Sequence, residues 1–225
     1  MFLESSESTS PRLCGPRKFL AHPKRKRRGV LCPSKRVAEE LFYMRIGFDL
    51  DKVFIDYPPI VPDKIIDRLY KKKANGTLLY RIPSRPEQIL RRLSHLTFLR
   101  PPIYENISFL KSIPKDKNEL YLISSRYKFL KKTTDELLKR HEFDKVFNAH
   151  YFNFDNKQPH LFKAQTLKKL KLDMYVDDDL HLLRHVAKEN PQTTFFWLTP
   201  SVSTEKLSKN IRPVLRLSDI LVKKL

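Results

Sequence analysis

The chain has 225 residues, with 45 Lys and Arg against 25 Asp and Glu, a formal net charge of +20 and a pI near 10.0. Its 40% hydrophobic and 11% aromatic content exclude wholesale disorder, which pairs high net charge with little apolar surface. No stretch approaches the ~20 consecutive apolar residues a bilayer span demands, so a membrane protein is not expected.

In chain order, residues 1–43 read as a basic tail. They hold ten Lys and Arg against four Asp and Glu, a net +6, with four prolines and no sustained apolar period. The composition predicts a flexible arm with a short helix near Arg36–Tyr43, and Lys24–Arg28 is either a nucleic-acid or targeting patch or simply part of a solvated tail, short basic runs being common and unspecific. The polar start (Ser5, Ser6, Glu7, Ser8) and the absence of an apolar stretch after the basic run do not fit a secretory signal. Cys14 and Cys32 have no Cys/His set at metal spacing, which fits free thiols and a cytoplasmic location. Residues 1–43 are either native or the product of a start assigned too early, with translation beginning at Met44, immediately before the first strong strand. Mass spectrometry of the native protein decides between them: peptides from residues 1–43 would overturn the later start.

From Met44 onward apolar runs of strand length alternate with helical patterns. Strands are expected at Arg45–Phe48, Glu119–Ile123, Lys145–Asn148, Met174–Val176 and Thr193–Leu198, with Val214–Leu217 weaker. Helices are expected at Tyr127–His141, Lys163–Lys171, Leu180–Glu189 and Thr204–Lys209. Such alternation predicts an α/β fold with a Rossmann-like parallel sheet flanked by helices. Residues 54–114 interrupt it, with helical patterns at Asp63–Lys73, Arg85–His95 and Tyr104–Ser112, and read as a helical cap inserted into a core of residues 44–53 and 115–225.

In parallel sheets ligands bind beyond the carboxyl ends of the strands. The first strand ends Phe48-Asp49-Leu50-Asp51, whose carboxylates at i and i+2 point the same way. The second ends Ile123-Ser124-Ser125-Arg126 and the fourth Val176-Asp177-Asp178-Asp179. Turn formation and helix capping are the ordinary uses of Asp and Ser after strands. Five carboxylates at one rim nevertheless repel one another unless a hard cation such as Mg²⁺ neutralises them.

These residues resemble the haloacid dehalogenase superfamily of aspartate-nucleophile phosphohydrolases. Ile46-Gly47-Phe48-Asp49-Leu50-Asp51-Lys52-Val53 matches the first motif, Tyr121-Leu122-Ile123-Ser124-Ser125-Arg126 the second, Lys163 at a helix start the third, and Asp177-Asp178 the fourth. The resemblance covers nearly all of residues 44–225. It implies that Asp49 is the nucleophile and Asp51 the group that protonates the leaving oxygen and then deprotonates water. It also implies that Ser124, Ser125 and Lys163 bind the phosphoryl group. Mg²⁺ would be held by Asp49, the backbone carbonyl of Asp51, Asp177 and Asp178. Lys157, Lys168, Lys169 and Lys171 rival Lys163. Arg126 either clamps a second anionic group of the substrate or caps the sheet edge. Lys52 departs from the pattern, which often has Gly there, and either assists a polyanionic substrate or alters the loop.

The expected function is a Mg²⁺-dependent phosphatase, similar to nucleotidase-like and sugar-phosphatase members, acting on a small phosphomonoester. Arg81, Arg85, Arg91, Arg92 and Arg100 in the cap would attract a substrate with more than one negative charge, or are solvated helix faces. The alternative is a nucleic-acid-associated protein that uses the tail and a body without turnover. The body, at +14 without the tail, fits either partner.

Overall fold

The computed structural model describes residues 43–58, 71–74, 77–80, 82–201 and 204–222. The expected basic patch at Lys24–Arg28 and the helix patterns before Tyr43 and over residues 63–70 lie outside them. Six strands form one parallel sheet: β1 (Met44–Phe48), β4 (Asn118–Ser124), β5 (Ala149–Phe152), β6 (Met174–Asp177), β7 (Thr194–Leu198) and β8 (Ile211–Val214). Their spatial order is β5-β4-β1-β6-β7-β8. Chain order reverses direction at β1, so the switch point of this doubly wound sheet lies between β1 and β6.

Strand alternation sorts the core into two faces. Met44, Ile46 and Phe48 of β1 join Met174 and Val176 of β6 on one face, together with Phe54, Phe143 and Phe147. Helices α2 (Tyr104–Ser112), α3 (Lys131–Arg140) and α4 (Phe143–Val146) supply that layer. On the other face Ile123, Tyr175 and Phe195 pack against α5 (Pro159–Leu170) and α6 (Leu180–Glu189). Pro159 opens α5, where a missing N–H costs nothing, and Asp179 caps α6 by accepting from the His181 and Leu182 amides. A terminal turn, α7 (Asp219–Val222), returns Ile220 to the first face. No described helix is long and apolar enough to cross a membrane.

Several expectations need correction. The third strand is Ala149–Phe152, not Lys145–Asn148, because Phe143, Val146 and Phe147 have the i, i+3, i+4 spacing of a helical turn and bury into the aromatic cluster. The last strand ends at Val214 instead of starting there. Pro213 sits within it, tolerated because β8 is an edge strand. Residues 204–209 form no helix, six residues being too few to repay nucleation. The insertion is mixed: β2 (Lys71–Ala74) and β3 (Thr77–Tyr80) form an antiparallel ribbon where helix was expected to run to Lys73. Asn75-Gly76 between them is the strongest short hairpin signal in the sequence. Helices α1 (Arg85–Ser94) and α2 follow it.

Gly47 shows how tightly the strand carrying the site is packed. A Cβ there would lie 2.5 Å from Leu172 Cδ1 and 2.9 Å from Tyr175 Cδ2. Gly47→Ala is expected to destabilise the protein by about 1–3 kcal/mol through overpacking. Urea unfolding should show a lower midpoint with an unchanged slope.

Candidate active site

The carboxyl ends of β1, β4 and β6 open into a cavity of about 430 Å³. Asp49, Asp51, Ser124, Ser125, Arg126, Lys163, Asp177 and Asp178 all line it, so the structure brings every candidate from the sequence to one place. At its floor Lys163 Nζ lies 3.0 Å from Asp49 Oδ1 and 2.6 Å from Asp177 Oδ2. All three side chains are buried. Lys163 is not at the start of its helix, as the sequence suggested, but four residues in, since α5 begins at Pro159. Lys168 and Lys169 sit in the last turn of α5, so the lysine rivals on this helix lie away from the rim.

Asp177 is fixed from every side. Its Oδ2 accepts from Lys163 and from the Tyr175 hydroxyl at 3.0 Å, and its Oδ1 accepts from the Asp179 amide at 3.0 Å. Asp178 is different, with no hydrogen bond or ion pair to its carboxylate among the described residues. Its backbone carbonyl accepts from Trp197 Nε1 at 2.9 Å, which sets the loop that presents it. Burial, with Asp177, Asp49 and Asp179 nearby, pushes the Asp178 carboxyl well above the usual range. Burial likewise lifts Asp49 to about 7; Asp177 and Asp51 add to the rise and Lys163 opposes it. Burial lowers the Lys163 ammonium, but Asp177 and Asp49 outweigh it and raise its pKa well above the usual value.

This donor set fits a divalent cation. Oxygens of Asp49, Asp177 and Asp178 lie within 4.8 Å of one another, and all are hard ligands. One lysine offsets only part of three carboxylates. A further positive charge at Asp178 would relieve the repulsion that raises its pKa.

Asp51 lies in another environment. Arg126 grips it in a bidentate pair, Nε to Oδ2 at 2.9 Å and Nη2 to Oδ1 at 2.6 Å, and Arg100 Nη2 approaches Oδ1 at 2.8 Å. Burial favours the neutral form, yet Arg100 and Arg126 prevail and hold the carboxyl well below the usual carboxylate range. Arg126, expected either to clamp a substrate anion or to cap the sheet edge, has its guanidinium engaged by Asp51 and by Thr134 Oγ1 at 3.3 Å. Asp51 stands as a paired anion, which does not fit a proton donor in this conformation.

The arginines of the insertion are also not all solvated. Arg91 and Arg100 are buried, Arg85 and Arg92 are exposed, and Arg81 lies outside the described residues. Lys52 adopts φ 61°, the left-handed region that favours Gly, so the loop keeps the turn that a glycine would make, at a cost of about 1–2 kcal/mol for a side chain. Its Nζ pairs with Asp56 at 3.1 Å.

Sequence reasoning missed His95, Tyr80 and Tyr175. Tyr175 could have been found from strand alternation, standing two residues before Asp177 on the same side. Tyr80 donates its hydroxyl to Asp179 Oδ2 at 3.1 Å, and its backbone exchanges hydrogen bonds with the Gln158 amide at 3.0 and 3.1 Å. His95 Nδ1 lies 2.8 Å from the Arg91 carbonyl, which can only accept, so Nδ1 carries the proton. Burial, then Arg100 and Arg126, depress the His95 pKa well below its ordinary value.

That depression has a signed consequence. Above pH 6.5 His95 is neutral folded or unfolded; below it only the unfolded chain takes up the proton, so stability falls with pH. The stability difference between wild type and His95→Gln should change by about 1.4 kcal/mol per pH unit below 6.5, measured by urea unfolding at several pH values.

No protein-family model and no curated protein matches the sequence. Solved structures do. A structure described as a haloacid dehalogenase-like hydrolase from Bacteroides fragilis superposes with TM-score 0.55 at 15% identity, over 79% of this chain and 99% of that one. One described as a phosphoglycolate phosphatase from Lactobacillus plantarum gives TM-score 0.54 at 11% identity, over 80% and 99%. At such identities the likeness is one of architecture, and together with the sheet order and the switch-point cavity it shows that the chain has the haloacid dehalogenase-like fold.

Proposed function

We propose that this protein is a Mg²⁺-dependent phosphohydrolase that cleaves a small phosphomonoester through an aspartyl-phosphate. The observation that carries the reading is the Asp49–Lys163–Asp177 bridge at the switch point, with Asp178 beside it. An Asp49 oxygen attacks phosphorus, the ester P–O bond breaks, and the leaving oxygen takes a proton. Water then attacks the aspartyl-phosphate, releasing inorganic phosphate and restoring Asp49, so one hard displacement becomes two easier ones. Lys163 offsets negative charge on both the nucleophile and the transferring group. Ser124 and Ser125 face the phosphoryl oxygens; the Ser125 hydroxyl, buried without a hydrogen-bond partner among the described residues, is available to donate.

Asp49, Asp177 and Asp178 would hold the metal ion, whose charge, when it is bound, screens the approach of one anion to another. Asp51 is in the form that accepts a proton from the hydrolytic water. In this pairing it serves as the base for the hydrolytic water, and the proton for the leaving oxygen comes from solvent. The cavity volume falls in the range of small-molecule sites, and Tyr57, Tyr127 and Trp197 in its lining suit the apolar part of a nucleotide or sugar phosphate. The activity described for the Lactobacillus plantarum structure agrees with this class. No described feature favours the nucleic-acid reading, and its patch at Lys24–Arg28 lies outside the described residues.

Wild-type protein should hydrolyse p-nitrophenyl phosphate, or a member of a nucleotide and sugar-phosphate panel, only with Mg²⁺ present. Asp49→Asn should lower kcat by about 10³-fold or more. Lys163→Met should lower it by about 10²–10³-fold, the scale of removing one preorganised electrostatic partner. Full activity in Asp49→Asn, or none in the wild type on any phosphoester, would defeat the reading.

A further inference from the structure

Arg100 belongs to the segment between α1 and α2, and its side chain is entirely buried. Its Nε donates to the Asp56 carbonyl at 2.9 Å, its guanidinium lies 4.9 Å from the centre of the Tyr57 ring, and its Nη2 reaches Asp51 Oδ1. The backbone around it is tied to the loop that follows the first aspartates. The Asp56 amide donates to the Pro101 carbonyl at 2.9 Å, the Ile103 amide to the Phe54 carbonyl at 2.8 Å, and Asn106 Nδ2 to the Val53 carbonyl at 2.6 Å. Ile55 and Pro102 form an antiparallel bridge. The base of the cap and the loop bearing Asp51 therefore form one unit.

Neutralising Asp51 does not require Arg100. The bidentate pair with Arg126 already matches a planar carboxylate with a planar guanidinium. A second buried guanidinium adds a charge the interior must accommodate, and among the described residues neither Arg100 Nη1 nor Nη2 has a hydrogen-bond partner, Nη2 meeting Asp51 Oδ1 as an ion pair at 2.8 Å. An apolar side chain of similar size would avoid both costs. What the second arginine adds is a charge held against one oxygen: Arg126 hydrogen-bonds both oxygens, and Arg100, fixed from the cap side by its bond to the Asp56 carbonyl, sets a positive charge 2.8 Å from Oδ1 that opposes the carboxylate's turning away. We propose that Arg100 is a positioning residue that, with Arg126, locks the Asp51 carboxylate toward the cavity and couples that orientation to the seating of the cap. The role rests on the phosphohydrolase reading, since it concerns the same site.

The test uses the full chain with saturating Mg²⁺ and p-nitrophenyl phosphate. Arg100→Met should lower kcat about 10–100-fold, the scale of a misoriented catalytic group, with KM within about twofold. Arg100→Lys should recover part of the loss, and millimolar guanidinium ion should partly rescue Arg100→Met without affecting the wild type. A purely structural arginine would lower the melting temperature while leaving kcat unchanged, and that result overturns the proposal. If Arg100→Met does not fold, the lysine variant carries the same comparison. A second measurement needs no turnover: urea unfolding of Asp51→Asn, Arg100→Met and the double variant should show coupling of about tenfold or more in the unfolding constant, and additivity overturns the lock. Activity without coupling defeats this proposal alone. A wild type inert on every phosphoester defeats the phosphohydrolase reading and the positioning role with it, even where coupling is found.

Discussion

The structure turns on one buried lysine. Parallel strands β1 and β6 end side by side at the switch point, each delivering a carboxylate, and Lys163 lies between Asp49 and Asp177 at 3.0 and 2.6 Å. Without it two buried anions would face each other across adjacent strands. That placement constrains much else. Helix α5 must begin near Pro159 for its second turn to reach the rim, and Tyr175 must stand on the same side of β6 as Asp177 to share its oxygen. Gly47 must lack a side chain because Leu172 and Tyr175 close over β1 beneath the site. The same helix end also anchors the inserted ribbon, since Gln158, the residue before Pro159, pairs with the backbone of Tyr80. The elements that hold Asp49 and those that meet the insertion share one helix start.

Much of this was legible in the sequence, and for a definite reason. A strand in a parallel sheet is buried on both faces, so Ile46-Gly47-Phe48 and Met174-Tyr175-Val176 read as short continuous apolar runs, and the aspartates after them can only leave at the carboxyl edge. The site residues on those edges were therefore found by position alone. Edge elements were not. Ala149–Phe152 is only half-buried and carries a histidine, while the neighbouring Phe143–Phe147 run is more apolar but packs as a helical turn. The ribbon was hidden because Lys71-Lys72-Lys73 has no alternation to distinguish a strand from a polar helix end. Arg100 and His95 were the least legible. Nothing in the sequence tells a buried arginine from a solvated one, since the difference lies in the partner, Asp51, nearly fifty residues away.

Charge is where sequence and structure diverge most usefully. A net +20 suggests a site rich in cations awaiting an anion, but the described cavity has the opposite balance. Six acids line it, Asp49, Asp51, Asp177, Asp178, Asp179 and Glu205, against the cations Lys52, Lys163 and Arg126. Each of those cations is already paired: Lys52 with Asp56, Lys163 with Asp49 and Asp177, Arg126 with Asp51. The described cations of the lining are thus outnumbered by its acids, and each already holds a carboxylate. The excess positive charge of the chain acts from farther away, where it raises the encounter rate of an anion but is screened over about 8–10 Å. On the proposed reading, attraction close to the phosphoryl group comes from Lys163 and from a cation bound by Asp49, Asp177 and Asp178. On the proposed reading the metal thus reverses the sign of the local field as well as assisting the chemistry: distant lysines and arginines bring the substrate near, and the metal makes the last few ångströms favourable.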